Sequence, residues 1–227
     1  MKKTEERKEY KFILNSQSKS KQLFFIRKDY KKLHPSRKIT SLYFDTIDFK
    51  IYRNSLDVDV DKFKVRFRQY NNIGEIYKEI KLNLPDGRKK EIEKTSYRSL
   101  DQIKFSYYRG LNLFPVVKIS FDREYFYKGG VRITIDSNLQ AKMSKFFSLA
   151  EPTYYSNKNI VEYKLNNSFK EPGNDLSKKL LIDESISIED SFYKNPVSFS
   201  KYTYSIGKLF KNVNIWYSQI VNFLYLK

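Results

Sequence analysis

Lys62-Phe63-Lys64-Val65-Arg66-Phe67-Arg68-Gln69-Tyr70 decides the reading of this chain. Its period is two. Phe63, Val65 and Phe67 alternate with Lys64, Arg66 and Arg68, and alternate residues of a strand share a face. One face is therefore apolar, and the other carries three like charges. Such charges repel one another unless an anion lies between them. A strand of this kind suits an inverted barrel, whose charged face points inward and whose apolar face lies under helices.

The same period recurs on either side. Arg7 to Phe12 (RKEYKF) sets Arg7, Glu9 and Lys11 on one face. Ser41 to Thr46 (SLYFDT) has strand-forming residues. Glu75 to Leu82 (EIYKEIKL) sets Glu79 and Lys81 against Ile80 and Leu82. Val116 to Phe126 places Arg123 in line with Phe121. Val131 to Asp136 (VRITID) sets Arg132, Thr134 and Asp136 against Val131, Ile133 and Ile135. Ile160 to Leu165 (IVEYKL) sets Glu162 and Lys164 against Val161 and Tyr163. A Glu stands two residues before a Lys three times: Glu9-Lys11, Glu79-Lys81 and Glu162-Lys164.

Pro85-Asp86-Gly87 and Gly129-Gly130 read as hairpin turns. Ser18 to Lys32 and Ser99 to Leu113 are expected as helices. After Ser200 the period changes. Ile206, Leu209, Phe210, Val213, Trp216, Ile220 and Phe223 recur at helical spacing, which predicts an amphipathic helix over about 204–225. Its apolar face is expected to pack on the domain, with a membrane or partner surface as the rival use. The fold class is α+β: a closed antiparallel β-tunnel with a basic lumen covered by helices. The tunnel domain is expected over residues 1–203, with the C-terminal helix, 204–227, packed on it.

Lys plus Arg total 44 against 26 Asp plus Glu, a net charge of +18, so the protein's field concentrates anions. Cysteine is absent, which excludes disulfides, thiol nucleophiles and zinc ribbons. The one histidine, His34, precedes Pro35 and is expected as a loop residue. The seven glycines form no G-x-x-x-x-G-K-[ST] or G-x-G-x-x-G, so any phosphate is held by side chains rather than by a backbone cradle. The opening MKKTEERKEY is charged and unlike a signal peptide, and no run approaches the length of a membrane span, so a cytoplasmic location is the expectation. Asp45 and Asp136 are expected to cap turns or to pair with an arginine, and Trp216 to pack.

Arg presents planar forks to phosphate oxygens, Lys adds point charge, and Glu among them can hold a hard cation. These pieces, taken in order over residues 7–203, resemble the VTC domain, the polyphosphate polymerase branch of the CYTH or triphosphate-tunnel superfamily. They are R-K-E-Y-K-F, S-L-Y-F-D-T, K-V-R-F-R at Lys64 to Arg68, and K-E-I-K-L at Lys78 to Leu82. F-D-R-E-Y-F at Phe121 to Phe126, V-R-I-T-I-D, V-E-Y-K at Val161 to Lys164 and F-S-K-Y at Phe199 to Tyr202 complete the set.

The resemblance implies a metal-dependent transferase that binds ATP and adds its terminal phosphoryl to a growing polyphosphate. It implies Lys11, Arg66, Arg68, Lys81, Arg123, Arg132 and Lys201 as catalytic phosphate binders. Lys164 and one of Arg88, Lys89 or Lys90 are further substrate binders, and Glu162 holds Mn²⁺ or Mg²⁺. A membrane protein encoded elsewhere is the implied partner. The chain departs from its relatives at two positions. Arg7 stands where hydrolase relatives carry the first Glu of E-x-E-x-K, which argues against a water-activating site. Phe121 stands where the family often has Tyr. Rival readings are a triphosphatase, a non-catalytic polyphosphate or nucleotide sensor, and a nucleic-acid binder. The glutamates among the basic residues argue against the last, because they would repel a nucleic-acid backbone.

Overall fold

Phe63, Val65 and Phe67 do share one strand face, with Val65 and Phe67 buried and Phe63 half-buried. Strand β3 (Lys62–Tyr70) lies between β2 (Lys31–Asp45) and β4 (Ile73–Leu84), antiparallel to both. This is the centre of a computed structural model that describes residues 8–14, 19–57, 62–84, 87–165 and 197–211. Arg7, Pro85, Asp86, Trp216 and the helix expected beyond residue 211 lie outside the described residues.

The remaining strands are β1 (Lys8–Leu14), β5 (Gly87–Lys94), β6 (Ser106–Tyr108), β7 (Leu111–Lys128), β8 (Val131–Met143), β9 (Thr153–Ser156) and β10 (Asn159–Leu165). Three α-helices accompany them among the described residues: α1 (Lys19–Asp29), α2 (Lys50–Leu56) and α3 (Lys201–Lys211). The class is α+β. The hydrogen-bonded order is β1-β10-β8-β7-β2-β3-β4-β5, with β6 on β7 and β9 on β8.

The closed barrel expected from the sequence needs correction. Among the described strands, backbone pairing ends at β1 on one side and at β5 on the other. Strand β5 carries Lys89, Lys90, Glu91 and Glu93 along its length, and a charged edge of this kind resists pairing with another strand.

Two compact units divide the chain. One comprises Met1–Ser36, Arg123–Ser137 and Asn157–Phe199; the other comprises Arg37–Asp122, Asn138–Ser156 and Ser200–Lys227. In the first unit, α1 presents Leu23 and Ile26, three residues apart on one helical face. They pack with Leu14, Phe126, Val131, Ile133, Ile135, Val161 and Tyr163, the apolar alternation read from the sequence. Helix α1 stops at Asp29 rather than continuing to Lys32. Pro35 disfavours helical backbone at His34, and Lys31 already belongs to β2. His34 is therefore a strand residue, not a loop residue, and its ring lies 3.9 Å from that of Tyr125.

In the second unit, Val65 is fully buried, and Phe67 packs on Phe44 and Tyr97. The helix expected over Ser99–Leu113 is absent. A single 3₁₀ turn at Leu100–Gln102, capped by Ser99, leads into β6 and a hairpin to β7. Arg109 and Gly110 both have positive φ, 50° and 76°, as a type I′ turn demands, and that geometry ends any helix. Gly129 and Gly130, at φ 54° and 82°, make the expected turn between β7 and β8.

Asp45 ends β2 and starts α2. Its carboxylate is fully buried and accepts from the backbone N–H groups of Thr46 (2.7 Å), Ile51 (2.8 Å) and Tyr52 (2.8 Å). The Tyr202 hydroxyl of α3 donates to it as well, at 2.5 Å. Helix α2 is thus capped at its N-terminus by a strand residue, which also receives α3. Burial raises the Asp45 pKa, against the lowering effect of these four hydrogen bonds. Asp45→Ala strands four donors in the core and should cost about 3 kcal/mol or more, read as a lower midpoint in urea unfolding. A loss under about 0.5 kcal/mol would contradict that role.

Candidate functional site

Each unit carries its own basic strand face. In the second unit, β3 turns Arg66 and Arg68 to the side opposite Val65, and the register places Arg66 beside both Tyr43 of β2 and Glu79 of β4. Arg66 donates from Nε to Glu79 Oε2 at 2.8 Å, and its Nη2 lies 2.6 Å from the same oxygen. Its Nη1 donates to the Tyr43 hydroxyl at 2.8 Å. Arg68 donates from Nε to Ser41 Oγ at 3.0 Å, and its Nη1 lies 3.7 Å from Glu79. Lys90 of β5 donates to Glu79 Oε1 at 2.9 Å.

One buried carboxylate therefore gathers three cations. Burial alone would raise the Glu79 pKa, but Arg66, Arg68 and Lys90 hold it down at about 2. Burial would also raise the Tyr43 phenol, and the charges of Arg66, Arg68 and Lys201 bring it instead to about 8. Arg68 is lowered by burial and by its neighbour Arg66. For Arg66, burial is outweighed by Tyr43 and Glu79, and its pKa rises.

Helix α3 adds Lys201 at its first residue. The Lys201 ammonium lies 4.7 Å from the centre of the Phe121 ring, and the Tyr202 ring stacks on Tyr43 at 5.2 Å. Phe121, where the family often has Tyr, holds this lysine by a cation–π contact. Lys81 faces the same side, in register between Lys64 and Lys90. Of the three alternatives near the β4–β5 turn, Lys90 joins this cluster. Lys89 points to the other side and lies 3.3 Å from Glu91, while the side chain of Arg88 lies outside the described residues.

The first unit carries the rest. Its register sets Lys11 opposite Glu162 and Thr134, and Glu9 opposite Lys164 and Arg132. Lys11 lies 2.7 Å from Glu9 Oε1 and donates to the Phe199 carbonyl at 3.2 Å. Lys164 lies 2.6 Å from Glu162 Oε1 and 3.6 Å from Glu9 Oε2, so one ammonium draws two carboxylates together. Burial would raise the Glu162 pKa; Lys164 and Arg123 outweigh burial and Glu9 and lower it. Arg123 forms a two-pronged pair with buried Asp136, Nε to Oδ1 at 2.5 Å and Nη2 to Oδ2 at 2.7 Å, which raises its pKa against burial. Arg132 is exposed.

No group of three or more Asp, Glu or His side chains forms a metal cluster among the described residues. Glu162 and Glu9 nevertheless supply hard oxygen donors on a face rich in anion-binding groups. Mg²⁺ or Mn²⁺ bound through one or two carboxylates, with phosphate oxygens completing its shell, fits that donor set.

Sequence reading missed Tyr43, Ser41 and Tyr202, and it named no partner for Glu79 beyond noting Lys81 on the same face. Tyr43 stands two residues before Asp45, so alternation alone puts it on the Asp45 face. That this face meets Arg66 depends on the β2–β3 register, which no local pattern states.

The sheet is mostly antiparallel, and its polar faces carry the Arg66–Arg68 guanidinium pair and several lysines. The family model for the VTC domain matches residues 6–108 and 89–210, and the chain belongs to that family. No curated protein sequence matches it significantly. The PH1819 protein of Pyrococcus horikoshii OT3 is similar in structure, with a TM-score of 0.51 and 14% identity over 88% of this chain and 99% of the other. HpAC1 from Hippeastrum, which has a dominant triphosphatase activity, has a TM-score of 0.50 and 16% identity over 88% and 95% of the two chains. At these identities the likeness is one of fold. No helix among the described residues is long and apolar enough to cross a membrane.

Two titrations test the cluster. One tyrosine should ionise near pH 8 in an absorbance titration and be missing in Tyr43→Phe; a first ionisation only near pH 10 would count against it. Glu79 has a folded pKa of about 2, below its usual 4.5, so its stabilisation is present above 4.5 and lost as the pH falls through 2. The stability gap between wild type and Glu79→Gln, roughly 3 kcal/mol at neutral pH, should shrink across that window.

Proposed function

We propose that the protein is a metal-dependent polyphosphate polymerase, transferring the terminal phosphoryl of ATP to a polyphosphate chain. The observation that carries this reading is the pair of buried Arg68 and half-buried Arg66, two residues apart on one strand face with Glu79 as shared counter-ion. Two guanidinium groups and Lys90 around one carboxylate leave excess positive charge, which a phosphate chain can neutralise. Family membership supports the same chemistry.

Phosphoryl transfer depends on positioning and charge neutralisation more than on covalent chemistry by the protein. In this proposal Arg66 and Arg68 neutralise phosphate oxygens, with Tyr43 and Glu79 fixing the Arg66 plane. Lys81, Lys90 and Lys201 add point charge. In the first unit, Lys11, Arg123, Arg132 and Lys164 take the corresponding role. Glu162, with Glu9 beside it, would hold Mn²⁺ or Mg²⁺, which when bound neutralises charge on bridging phosphate oxygens. The acceptor is itself a phosphate, already anionic, so the reaction needs no strong general base.

A triphosphatase is the second reading, favoured by the activity of the structurally similar HpAC1. Arg7 in place of a carboxylate weighs against it, because water activation loses a metal and base ligand.

Purified protein incubated with ATP and Mn²⁺ should yield a polyphosphate ladder on a gel. Arg66→Ala, checked for folding by its thermal melt, should lower turnover roughly a hundredfold or more. Free phosphate without polymer would decide for the triphosphatase. Neither product, with tripolyphosphate still bound, would leave a sensor.

A further inference from the structure

Thr134 of β8 stands among charges and bonds to none of them. The register sets it opposite Glu162 on β10 and, one strand further, in line with Lys11 on β1. Along β8 it lies between Arg132 and Asp136, which share its face. Its chain neighbours Ile133 and Ile135 face the other way, into the core under α1. Thr134 therefore belongs to the charged face of the first unit. It is nevertheless only 1% exposed, and its hydroxyl makes no hydrogen bond among the described residues.

A hydroxyl buried in that state destabilises a fold. Valine has the same branched shape, suits a strand as well, and would bring no unmatched group. Threonine in this place points to a partner that the chain itself does not supply. The surrounding chemistry says which partner fits. The acids nearby are engaged with cations: Asp136 with Arg123, Glu162 with Lys164, and Glu9 with Lys11. The side chains of Lys11, Lys164 and Arg132 are donors only. Thr134 adds to this face a neutral oxygen that can accept.

A water in the shell of Mg²⁺ or Mn²⁺ is a strong donor, because the cation polarises its O–H bonds. These cations keep several waters when one or two carboxylates hold them. Residues directly opposite on antiparallel strands have Cβ atoms about 5 Å apart. That spacing suits a contact between Thr134 and a cation on Glu162 made through a water.

We propose that the Thr134 hydroxyl accepts a hydrogen bond from a water in the shell of the divalent cation held at Glu162, and so fixes where that cation sits. Thr134 is a positioning residue, acting through this water rather than on the phosphates. The inference rests on the metal-binding role proposed for Glu162 and adds to it the neutral group that orients the site.

Mn²⁺ binding, followed by EPR, tests this in wild type, Thr134→Val, Thr134→Ser and Glu162→Gln. Each protein is titrated alone and loaded with one equivalent of inorganic tripolyphosphate. Thr134→Val should bind Mn²⁺ about tenfold more weakly than wild type, the scale on which losing an outer hydrogen bond weakens a metal site. Thr134→Ser should bind it at the wild-type level. Without metal, Thr134→Val should bind tripolyphosphate as wild type does and melt at the same temperature or higher. Equal Mn²⁺ affinity in wild type and Thr134→Val would overturn the proposal. So would a metal-free melt more than about 4 °C below wild type, which would give the hydroxyl a partner within the protein. Weaker metal-free tripolyphosphate binding in Thr134→Val would assign the hydroxyl to phosphate and overturn it as well. A wild type that binds no Mn²⁺ in either state, or Glu162→Gln that binds it equally well, would instead defeat the metal role of Glu162 itself.

Discussion

A carboxylate buried among three cations sets the terms for the second unit. Removing Glu79 and two guanidinium groups from water is costly, and their mutual attraction offsets that cost only when the geometry is close. The β3–β4 register supplies that geometry, because Arg66 and Glu79 are directly opposed. A slip of one residue would turn Arg66 and Arg68 toward Phe44 and the core, and Val65 and Phe67 toward the charges. Charge pairing and apolar burial therefore enforce the same register.

The two units solve the same problem differently. In the second, one acid serves several bases, and α3 closes the arrangement through aromatic rings: Tyr202 on Tyr43, and Lys201 on Phe121. In the first, acids and bases are more nearly matched: Arg123 with Asp136, Lys11 with Glu9, Lys164 with Glu162. Arg123 already spends two donors on Asp136, which fixes its plane and limits how it can turn toward a ligand. A matched set favours rigidity, and an unmatched one favours capture of an anion.

Strand identity was legible because alternation over KFKVRFRQY, VRITID and IVEYKL is strong and the charged and polar residues keep to one face. The chemistry of the polar faces was legible for the same reason. Other features were not. Ser99 to Leu113 has enough apolar spacing to suggest a helix, yet Arg109-Gly110 turns the chain and β7 claims Leu111 to Phe114 as strand. Glu79 stands two residues from Lys81, yet it pairs with Arg66, directly opposite on β3, and with Lys90, diagonal to it on β5, and spacing along one strand does not state those cross-strand placements. Closure of a barrel depends on edge pairing, about which the alternation within each strand says nothing.

The capped start of α3 has a consequence for how the chain folds during synthesis. Tyr202 meets Asp45 across 157 residues and Ser200 meets Lys64 across 136. Contacts so distant in sequence form late, since loop closure must precede the contacts that stabilise it. On the ribosome, β2, β3 and β4 can pair early while their buried carboxylate Asp45 still lacks its tyrosine. The nascent unit therefore exposes a basic sheet face until α3 has emerged, and cellular polyanions can reach that face before the helix that finishes it.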